Sequence, residues 1–285
     1  MASENKESPS DKASSVSDSK PTASAAPSKE AVSVEPNRSS NGSAPAKMTL
    51  VEEAVDLAKT VAWAVAIALV LRIVIFQPFN IPSGSMKPNL LVGDFLFVSK
   101  PSYGYSRASL VWPLTRLNLD GRILATEPER GDVLVFKNRK DGNKDYIKRL
   151  VGMPGDQIQM RGGRLHINGL PVQKEFVEYK LASCDGMPAK QVPMFRETLP
   201  NGVSYIVQEC HGDRGNYDDT AVYKVPAGRY FMMGDNRDQS EDSRVTARVG
   251  YVPYDDIVGR AERLFLSVDG QKFAIRFNRI LKKIE

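Results

Sequence analysis

Two serines stand in a short segment whose neighbours restrict the backbone. Ser83 and Ser85 flank Gly84, and Pro82 and Pro88 lie close on either side. Proline fixes one backbone dihedral and glycine supplies the flexible position, so the segment should form a stiff loop. A serine on such a loop can act as a nucleophile if a nearby base accepts its proton. An ordinary surface turn has the same composition, and the segment alone leaves both interpretations open.

Histidine, the usual proton acceptor for such a serine, occurs only at His166 and His211. His166 alternates with Arg164 and Asn168, a pattern typical of the solvent-facing side of a strand. His211 lies in a short polar sequence, CHGD. Both patterns favour solvated histidines over catalytic ones.

A lysine is the other candidate base. Residues 145–151, DYIKRLV, alternate as a strand, which places Tyr146, Lys148 and Leu150 on one face. An apolar setting disfavours the ammonium form and lowers the pKa of a lysine, so that the neutral amine becomes available as a base. The alternative is a lysine of an edge strand that lies over hydrophobic neighbours.

A third group of polar residues follows a predicted strand at 229–233. Residues 234–244, GDNRDQSEDSR, are dense in short side chains that can bond to one another and to the backbone in a tight loop. A solvated surface turn is the alternative. The spacing does not match a calcium-binding loop, and Cys184 and Cys210 belong to no zinc-binding pattern, so no metal site is predicted.

Four segments, in this order, resemble the signature segments of the bacterial type I signal peptidases. They are IPSGSM at 81–86, RGDV at 130–133, YIKRLVGMPGD at 146–156, and GDNRD at 234–238 with Ser240, Asp242 and Arg244 beyond it. The similarity spans about residues 60–270. Any one segment alone would be a weak indication, whereas four in the same order make a chance match very improbable.

The resemblance implies a serine endopeptidase with a Ser/Lys dyad, in which Ser85 is the nucleophile and Lys148 the general base. Ser83 and the backbone N–H of Ser85 would form the oxyanion hole, and Ser240 would orient the lysine. Three charged residues would support the site through salt bridges: Asp235, Asp242 and Arg244. Six residues would line shallow substrate pockets: Ile81, Pro82, Met86, Leu90, Tyr146 and Ile147.

The implied activity is removal of N-terminal signal peptides from secreted preproteins, with cleavage after small residues of the Ala-x-Ala type. The expected location is the bacterial cytoplasmic (inner) membrane, with one span, a cytoplasmic N-terminus and an extracytoplasmic catalytic domain. Expected partners are preproteins, the phospholipid membrane and, transiently, the secretion translocon. No cofactor is expected. No nucleic acid is expected either, because no nucleic-acid-binding motif accompanies the net charge of +5.

Two other functions remain open at this stage. A self-cleaving Ser–Lys repressor would carry a DNA-binding helix-turn-helix before the protease, where this chain has a polar tail and an apolar segment. A membrane-anchored β domain that only binds peptides would keep the pockets, but it would not need Ser83, Ser85, Lys148 and Ser240 together.

The N-terminal elements divide into a tail and an anchor. Residues 1–46 contain 13 Ser, 8 Ala and 5 Pro but no Leu, Ile, Phe, Trp or Tyr, which predicts a disordered tail over 1–47. Residues 61–76 are apolar except for Arg72, and sixteen residues of helix span ~24 Å, somewhat less than the ~30 Å of a bilayer core. With Lys59 and Arg72 extending towards the two surfaces, residues 48–76 are predicted to be a membrane anchor. A buried core helix is the alternative.

Residues 77–285 show short β-like runs with turn signals between them. The predicted strands are 95–98, 132–136, 145–151, 157–160, 164–168, 203–207, 228–233 and 257–266. The predicted fold class is therefore mainly β, with an antiparallel catalytic core. The resemblance adds a second β domain inserted at about 157–226. Cys184 and Cys210 both fall in that insert, and the sequence leaves open whether they form a disulfide or stay as thiols.

Overall fold

The computed structural model describes residues 50–110, 121–184, 186, 188–270 and 273–284. The predicted disordered tail, 1–47, lies outside the described residues. Contacts group Val51–Glu285 into one compact unit. The predicted fold class is confirmed, because this unit is built mainly of antiparallel strands that follow one N-terminal helix.

Helix α1 (Leu50–Val74) is longer than the apolar segment alone suggested. Its 25 residues correspond to ~37 Å, enough to cross a bilayer core. Within it, Leu50–Arg72 has a mean hydropathy of 1.9, and none of the most apolar window is buried. Trp63, for example, is 72% exposed. The interpretation as a buried core helix is therefore wrong, whereas an apolar surface all around a helix is typical of contact with lipid.

The helix ends before the predicted end of the anchor. Phe76 already belongs to a strand, and Pro78 follows two residues later. A proline cannot continue a helix and disfavours helical backbone in the residue before it. The chain therefore passes almost directly from α1 into the β structure.

Fifteen strands follow α1 in the described part of the chain. They are β1 (Phe76–Asn80), β2 (Asp94–Ser99), β3 (Val133–Asn138), β4 (Lys144–Gly152), β5 (Gln157–Arg161), β6 (Arg164–Ile167), β7 (Leu170–Pro171), β8 (Gln173–Ala182), β9 (Lys190–Thr198), β10 (Ser204–Gln208), β11 (Tyr223–Lys224), β12 (Arg229–Met233), β13 (Val252–Pro253), β14 (Ile257–Asp269) and β15 (Ala274–Ile275).

The central sheet has the strand order β1-β2-β14-β3-β4-β12-β13, with β15 added to β14. Strands β5 to β11 form two further sheets, ordered β11-β5-β6-β7 and β10-β9-β8. Both smaller sheets lie within the predicted insert, 157–226. One hydrophobic cluster joins them to the central sheet, since it contains Val151 and Phe231 together with Ile158, Leu165 and Val207.

Two long strands of the insert, β8 and β9, were not predicted from the sequence. The side chains of β8 are exposed on both faces along most of its length, so its sequence lacks the apolar alternation of a half-buried strand. Strand β9 contains Pro193, and proline inside a run argues against a strand. The two strands are formed by their antiparallel pairing with each other, which runs from Gln173↔Thr198 to Ala182↔Lys190.

A second hydrophobic cluster holds the loop that carries the two serines. This segment, residues 81–93, joins β1 to β2 and is here called the Ser85 loop. Ile81, Met86 and Leu90 are buried in a cluster with β2 and β14 residues such as Leu96 and Leu264. Met86 and Leu90 therefore fix the Ser85 loop to the central sheet from within.

The structure joins Cys184 to Cys210 by a disulfide, with 5.9 Å between the Cα atoms. The two cysteines lie in a small cluster with Val192 and Met194 of β9. The sequence could not decide this pairing, because it does not give the distance between two residues that are 26 positions apart.

Removing the disulfide should destabilise the protein. Because the bond closes a loop across 26 positions, its loss should lower the free energy of unfolding by about 3 kcal/mol. The double variant Cys184→Ser/Cys210→Ser tests this in denaturant unfolding, and thiol titration of the denatured, unreduced wild type should find no thiol. Two titratable thiols would contradict the bond.

Candidate active site

The Ser85 loop is closed at its base by backbone hydrogen bonds, and Ser85 itself is buried. Ile81 N–H donates to Asp94 O at 2.8 Å, and Gly93 N–H donates to Ile81 O at 3.0 Å. Within the loop, Leu90 N–H donates to Met86 O at 2.9 Å. These bonds and the buried side chains make the loop as stiff as its prolines predicted.

Lys148 reaches Ser85 from the central sheet. It lies in β4, opposite Leu134 of β3. Its Nζ is 2.8 Å from Ser85 Oγ and 3.0 Å from Ile147 O, and both are hydrogen bonds. Nζ also lies 5.5 Å from the centre of the Tyr146 ring, as the predicted common face of the strand requires. The structure thus brings together two residues that are 63 positions apart.

Burial lowers the pKa of Lys148 from 10.5 to about 8. Its side chain is almost fully enclosed, so the ammonium form loses hydration, while Asp242 and Asp235 only partly offset that loss. Near pH 7 roughly one molecule in ten then holds the neutral amine. A neutral amine at this distance can accept the hydroxyl proton of Ser85.

Ser83 also lies close to the nucleophile candidate. Its Oγ is 3.4 Å from Ser85 Oγ, and its side chain is exposed at the surface of the loop. A hydroxyl in that place can donate to an oxygen atom that is bound beside Ser85.

Ser240 is placed beside the backbone of Ser85 by Gly234. A Cβ atom at Gly234 would lie 2.2 Å from Ser240 Oγ and 2.5 Å from Ser85 O, so only glycine fits there. Ser240 Oγ is buried without a hydrogen bond of normal geometry to any described residue, but the hydroxyl helps to lower the pKa of the Asp242 carboxyl. The implied contact with the lysine is thus not among the two hydrogen bonds of Lys148.

Buried salt bridges surround these groups. Asp235 accepts two hydrogen bonds from the Arg149 guanidinium, each of 2.8 Å, and Asp242 accepts two from Arg244, each of 2.9 Å. Asp242 also accepts from Gly234 N–H at 3.0 Å. Burial favours the neutral form of Asp242, but Arg244 outweighs it and holds the pKa of the carboxyl below its ordinary value. The three residues predicted to support the site therefore form ion pairs there.

Sequence reasoning predicted Arg244 but missed Arg149, the partner of Asp235. It placed Arg149 on the opposite face of its strand from Lys148 and gave it no role, yet Arg149 is fully buried against Asp235. It also overlooked the buried pair between Arg237 and Glu197, which connects the polar loop, residues 234–244, to β9. The adjacent lysine and arginine in a buried strand were a signal that such partners exist, because each buried positive charge needs a group that compensates it.

The six predicted pocket residues divide into two groups. Ile81, Met86 and Leu90 are buried in the core beneath the Ser85 loop. Pro82 is exposed, and Tyr146 and Ile147 are half-buried. Three of the six residues therefore belong to the core, and the other three keep accessible surface.

Neither histidine lies in the Ser85 loop, in β4 or in the polar loop. His166 lies in β6, where its Nδ1 contacts Arg164 O at 3.0 Å, and His211 lies in a loop after β10. Among the described residues, no group of three or more His, Cys, Asp or Glu side chains could hold a metal ion.

Comparison with known proteins identifies the family. The family model described as "Signal peptidase, peptidase S26" matches residues 54–266. The chain belongs to this signal peptidase family. It is 43% identical over 217 residues to a signal peptidase I of Rickettsia akari, which covers 72% of this chain and 77% of the relative. A signal peptidase I of Rickettsia typhi is 42% identical over 212 residues, or 71% and 76% of the two chains.

A solved signal peptidase I from Enterococcus faecalis V583 is also similar, with 23% identity and a TM-score of 0.28, over 47% of this chain and 97% of that chain. The sequence matches carry the assignment. They support removal of signal peptides by a peptidase, as the resemblance of the four segments indicated.

Replacing Lys148 by methionine should stabilise the protein. A lysine whose pKa is lowered from 10.5 to about 8 costs about 3 kcal/mol at pH 7, and an apolar side chain of similar length does not incur this cost. Between pH 8 and 10.5 the unfolded lysine binds more protons than the native one, so wild-type stability rises and the advantage of Lys148→Met should shrink.

Denaturant unfolding in detergent at pH 7, 9 and 10.5 measures this difference. The control is Lys144→Met, an exposed position in the same strand, which should show no comparable gain. A Lys148→Met gain that is absent at pH 7, or independent of pH, would contradict the lowered pKa.

Proposed function

We propose that this chain is a Ser/Lys-dyad endopeptidase that removes N-terminal signal peptides from secreted preproteins and cleaves after small residues. The observation that carries the proposal is the 2.8 Å contact between Lys148 Nζ and Ser85 Oγ, at a lysine whose pKa lies near 8. A solvent-exposed lysine would be protonated too fully to act as a base.

The reaction begins with proton transfer. Neutral Lys148 accepts the proton of Ser85, and Ser85 Oγ attacks the carbonyl carbon of the residue before the scissile bond. The oxyanion receives hydrogen bonds from the Ser83 hydroxyl and the Ser85 N–H, each typically worth about 3 kcal/mol. The Lys148 ammonium then protonates the leaving amine, and an acyl-enzyme remains. Lys148 next activates a water molecule that hydrolyses the ester.

Ser240 has the role of holding the lysine during these transfers. Its buried Oγ makes no hydrogen bond of normal geometry to a described residue, and it lies next to the Ser85 backbone. A buried hydroxyl without a partner is costly, so a bond to Nζ would become favourable once Ser85 has moved to attack.

Specificity for small residues follows from the packing beside Ser85. Met86 and Leu90 are already buried, and the rigid Pro82 limits how far the wall of a substrate pocket can move to admit a larger side chain. A shallow surface formed by Pro82, Tyr146 and Ile147 accommodates an alanine side chain better than a large one. This supports cleavage of the Ala-x-Ala type.

Helix α1 anchors the enzyme in the bacterial cytoplasmic membrane, with the N-terminus in the cytoplasm and residues 77–285 outside. The Cys184–Cys210 disulfide supports this orientation, because disulfides persist in oxidising compartments. Directly after α1, Phe76 is exposed, and its ring lies 5.9 Å from that of the exposed Phe97 of β2. Phe97 in turn stacks on Phe265 at 4.4 Å, and these rings form an aromatic surface suited to the lipid headgroups.

The partners of the enzyme are thus preproteins, phospholipid and, during export, the translocon. Enzyme and signal peptide share one bilayer, which raises their effective concentration.

Loss of the nucleophile should abolish cleavage. Ser85→Ala should leave no measurable cleavage of a preprotein while the protein still folds, and Ser83→Ala should reduce kcat by about 10²–10³ with little change in KM, because one oxyanion donor is lost. Cleavage assays in detergent measure both. Ser204→Ala, at an exposed position of strand β10, is the control. A Ser83→Ala rate within threefold of wild type would remove Ser83 from the oxyanion hole.

The rate should rise with pH as Lys148 loses its proton. With a pKa of about 8, kcat/KM should increase through pH 7–8 and level off above pH 9. Lys148→Arg should be inactive, because a guanidinium keeps its proton. His166→Ala and His211→Ala should leave the profile unchanged. A rate controlled near pH 6.5 and lost with either histidine would replace the dyad by a histidine mechanism.

A further inference from the structure

Asn236 contacts the peptide groups on both sides of Ser85. Its side-chain Nδ2 donates to Gly84 O at 3.0 Å, and its backbone N–H donates to Ser85 O at 3.1 Å. Asn236 itself is fully buried. One residue of the polar loop therefore fixes both peptide planes that flank the nucleophile candidate.

The first of these peptide groups is the one that would donate to the oxyanion. Gly84 O and Ser85 N–H belong to the same planar, trans unit and point in opposite directions. The direction of Gly84 O therefore sets the direction of the Ser85 N–H. A donor on the carbonyl also polarises the unit, which strengthens the N–H as a donor.

We infer that Asn236 is a positioning residue for the oxyanion hole. Its amide orients and polarises the Gly84–Ser85 peptide group so that the Ser85 N–H meets the developing oxyanion. This inference rests on the proposed function, because it needs an oxyanion at that place.

The orientation of the Asn236 amide is itself determined by its neighbours. Nδ2 donates a second hydrogen bond, of 3.1 Å, to Gln239 Oε1, while Oδ1 lies 3.8 Å from Cys210 Sγ. A flipped amide would set Oδ1 against two acceptor oxygens. In addition, Gln208 N–H of β10 donates to Asp235 O at 2.9 Å, which holds the backbone next to Asn236. The amide is therefore aimed at Gly84 by the inserted strands and by its own loop.

Replacing Asn236 should have different effects if the residue is purely structural and if it positions the oxyanion hole. A buried asparagine that only satisfies backbone groups would lower stability when replaced, but it would leave the chemistry of each folded molecule unchanged. A positioning residue acts on the transition state, so its loss lowers kcat and weakens ligands that carry an oxyanion, with KM little affected.

The experiment uses full-length Asn236→Ala and Asn236→Asp in detergent, beside the wild type. We expect Asn236→Ala to lower kcat by about 10- to 100-fold, a part of the loss caused by deleting a whole oxyanion donor, with KM within threefold and the apparent pKa of the profile unchanged. Asn236→Asp sets an acceptor against Gly84 O, so at the pH plateau it should be slower than Asn236→Ala despite its closer size.

A peptide aldehyde ending in alanine provides the second readout. Its adduct with Ser85 carries an oxyanion, so its inhibition constant should weaken by about the same factor as kcat/KM falls. The matched control is Asn138→Ala, a buried asparagine at the end of β3 whose Nδ2 donates to Arg248 O at 3.1 Å. It should lose stability without either change.

Three results would overturn the inference while the wild type still cleaves. They are a kcat for Asn236→Ala within threefold of wild type, an aldehyde affinity that stays constant while kcat falls, or failure of both variants to fold where Asn138→Ala folds, which makes Asn236 structural. Absence of cleavage by the wild type, or cleavage by Ser85→Ala, would instead refute the proposed function itself.

Discussion

The buried contact between Lys148 Nζ and Ser85 Oγ is the interaction on which the rest of the site depends. A lysine that is withdrawn from water loses hydration, and its pKa falls to about 8. This cost of about 3 kcal/mol is a large part of the stability of an ordinary domain. The surrounding structure offsets it with hydrophobic clusters on both sides of the sheet that holds β4. The same burial that destabilises the lysine is what makes its amine available as a base.

Burial affects the charge of two adjacent residues of β4, Lys148 and Arg149, in different ways. Arg149 is as buried as Lys148, but it faces a carboxylate, Asp235, through two hydrogen bonds and stays charged. The two hydrogen bonds of Lys148 go to a hydroxyl and a carbonyl oxygen, which compensate a positive charge less well. Ion pairs thus stabilise the walls of the site while the centre holds a group that can lose its proton. In this arrangement Asp242 and Arg244 keep the polar loop in place.

The path of the chain brings this site close to the candidate membrane helix α1. Strand β1 is five residues long and connects the end of α1 to the Ser85 loop, a distance of about 17 Å when extended. The Ser85 loop is held from the opposite side by Asn236, whose loop is connected to the inserted strands through Gln208 and the Arg237–Glu197 pair. Helix α1, the central sheet and the strands of the two smaller sheets are therefore all connected to one short segment.

The sequence by itself determined the family and the fold class. Prolines about the serines predicted the stiff loop, the alternation of 145–151 predicted the strand of Lys148, and four ordered segments identified the family. The side of the sheet that Arg149 faces, the existence of β8 and β9, the Cys184–Cys210 bond and the contact of Asn236 with Gly84 were decided only by the tertiary structure. Each depends on which distant residue lies opposite, and local patterns of polarity carry no information about that distance.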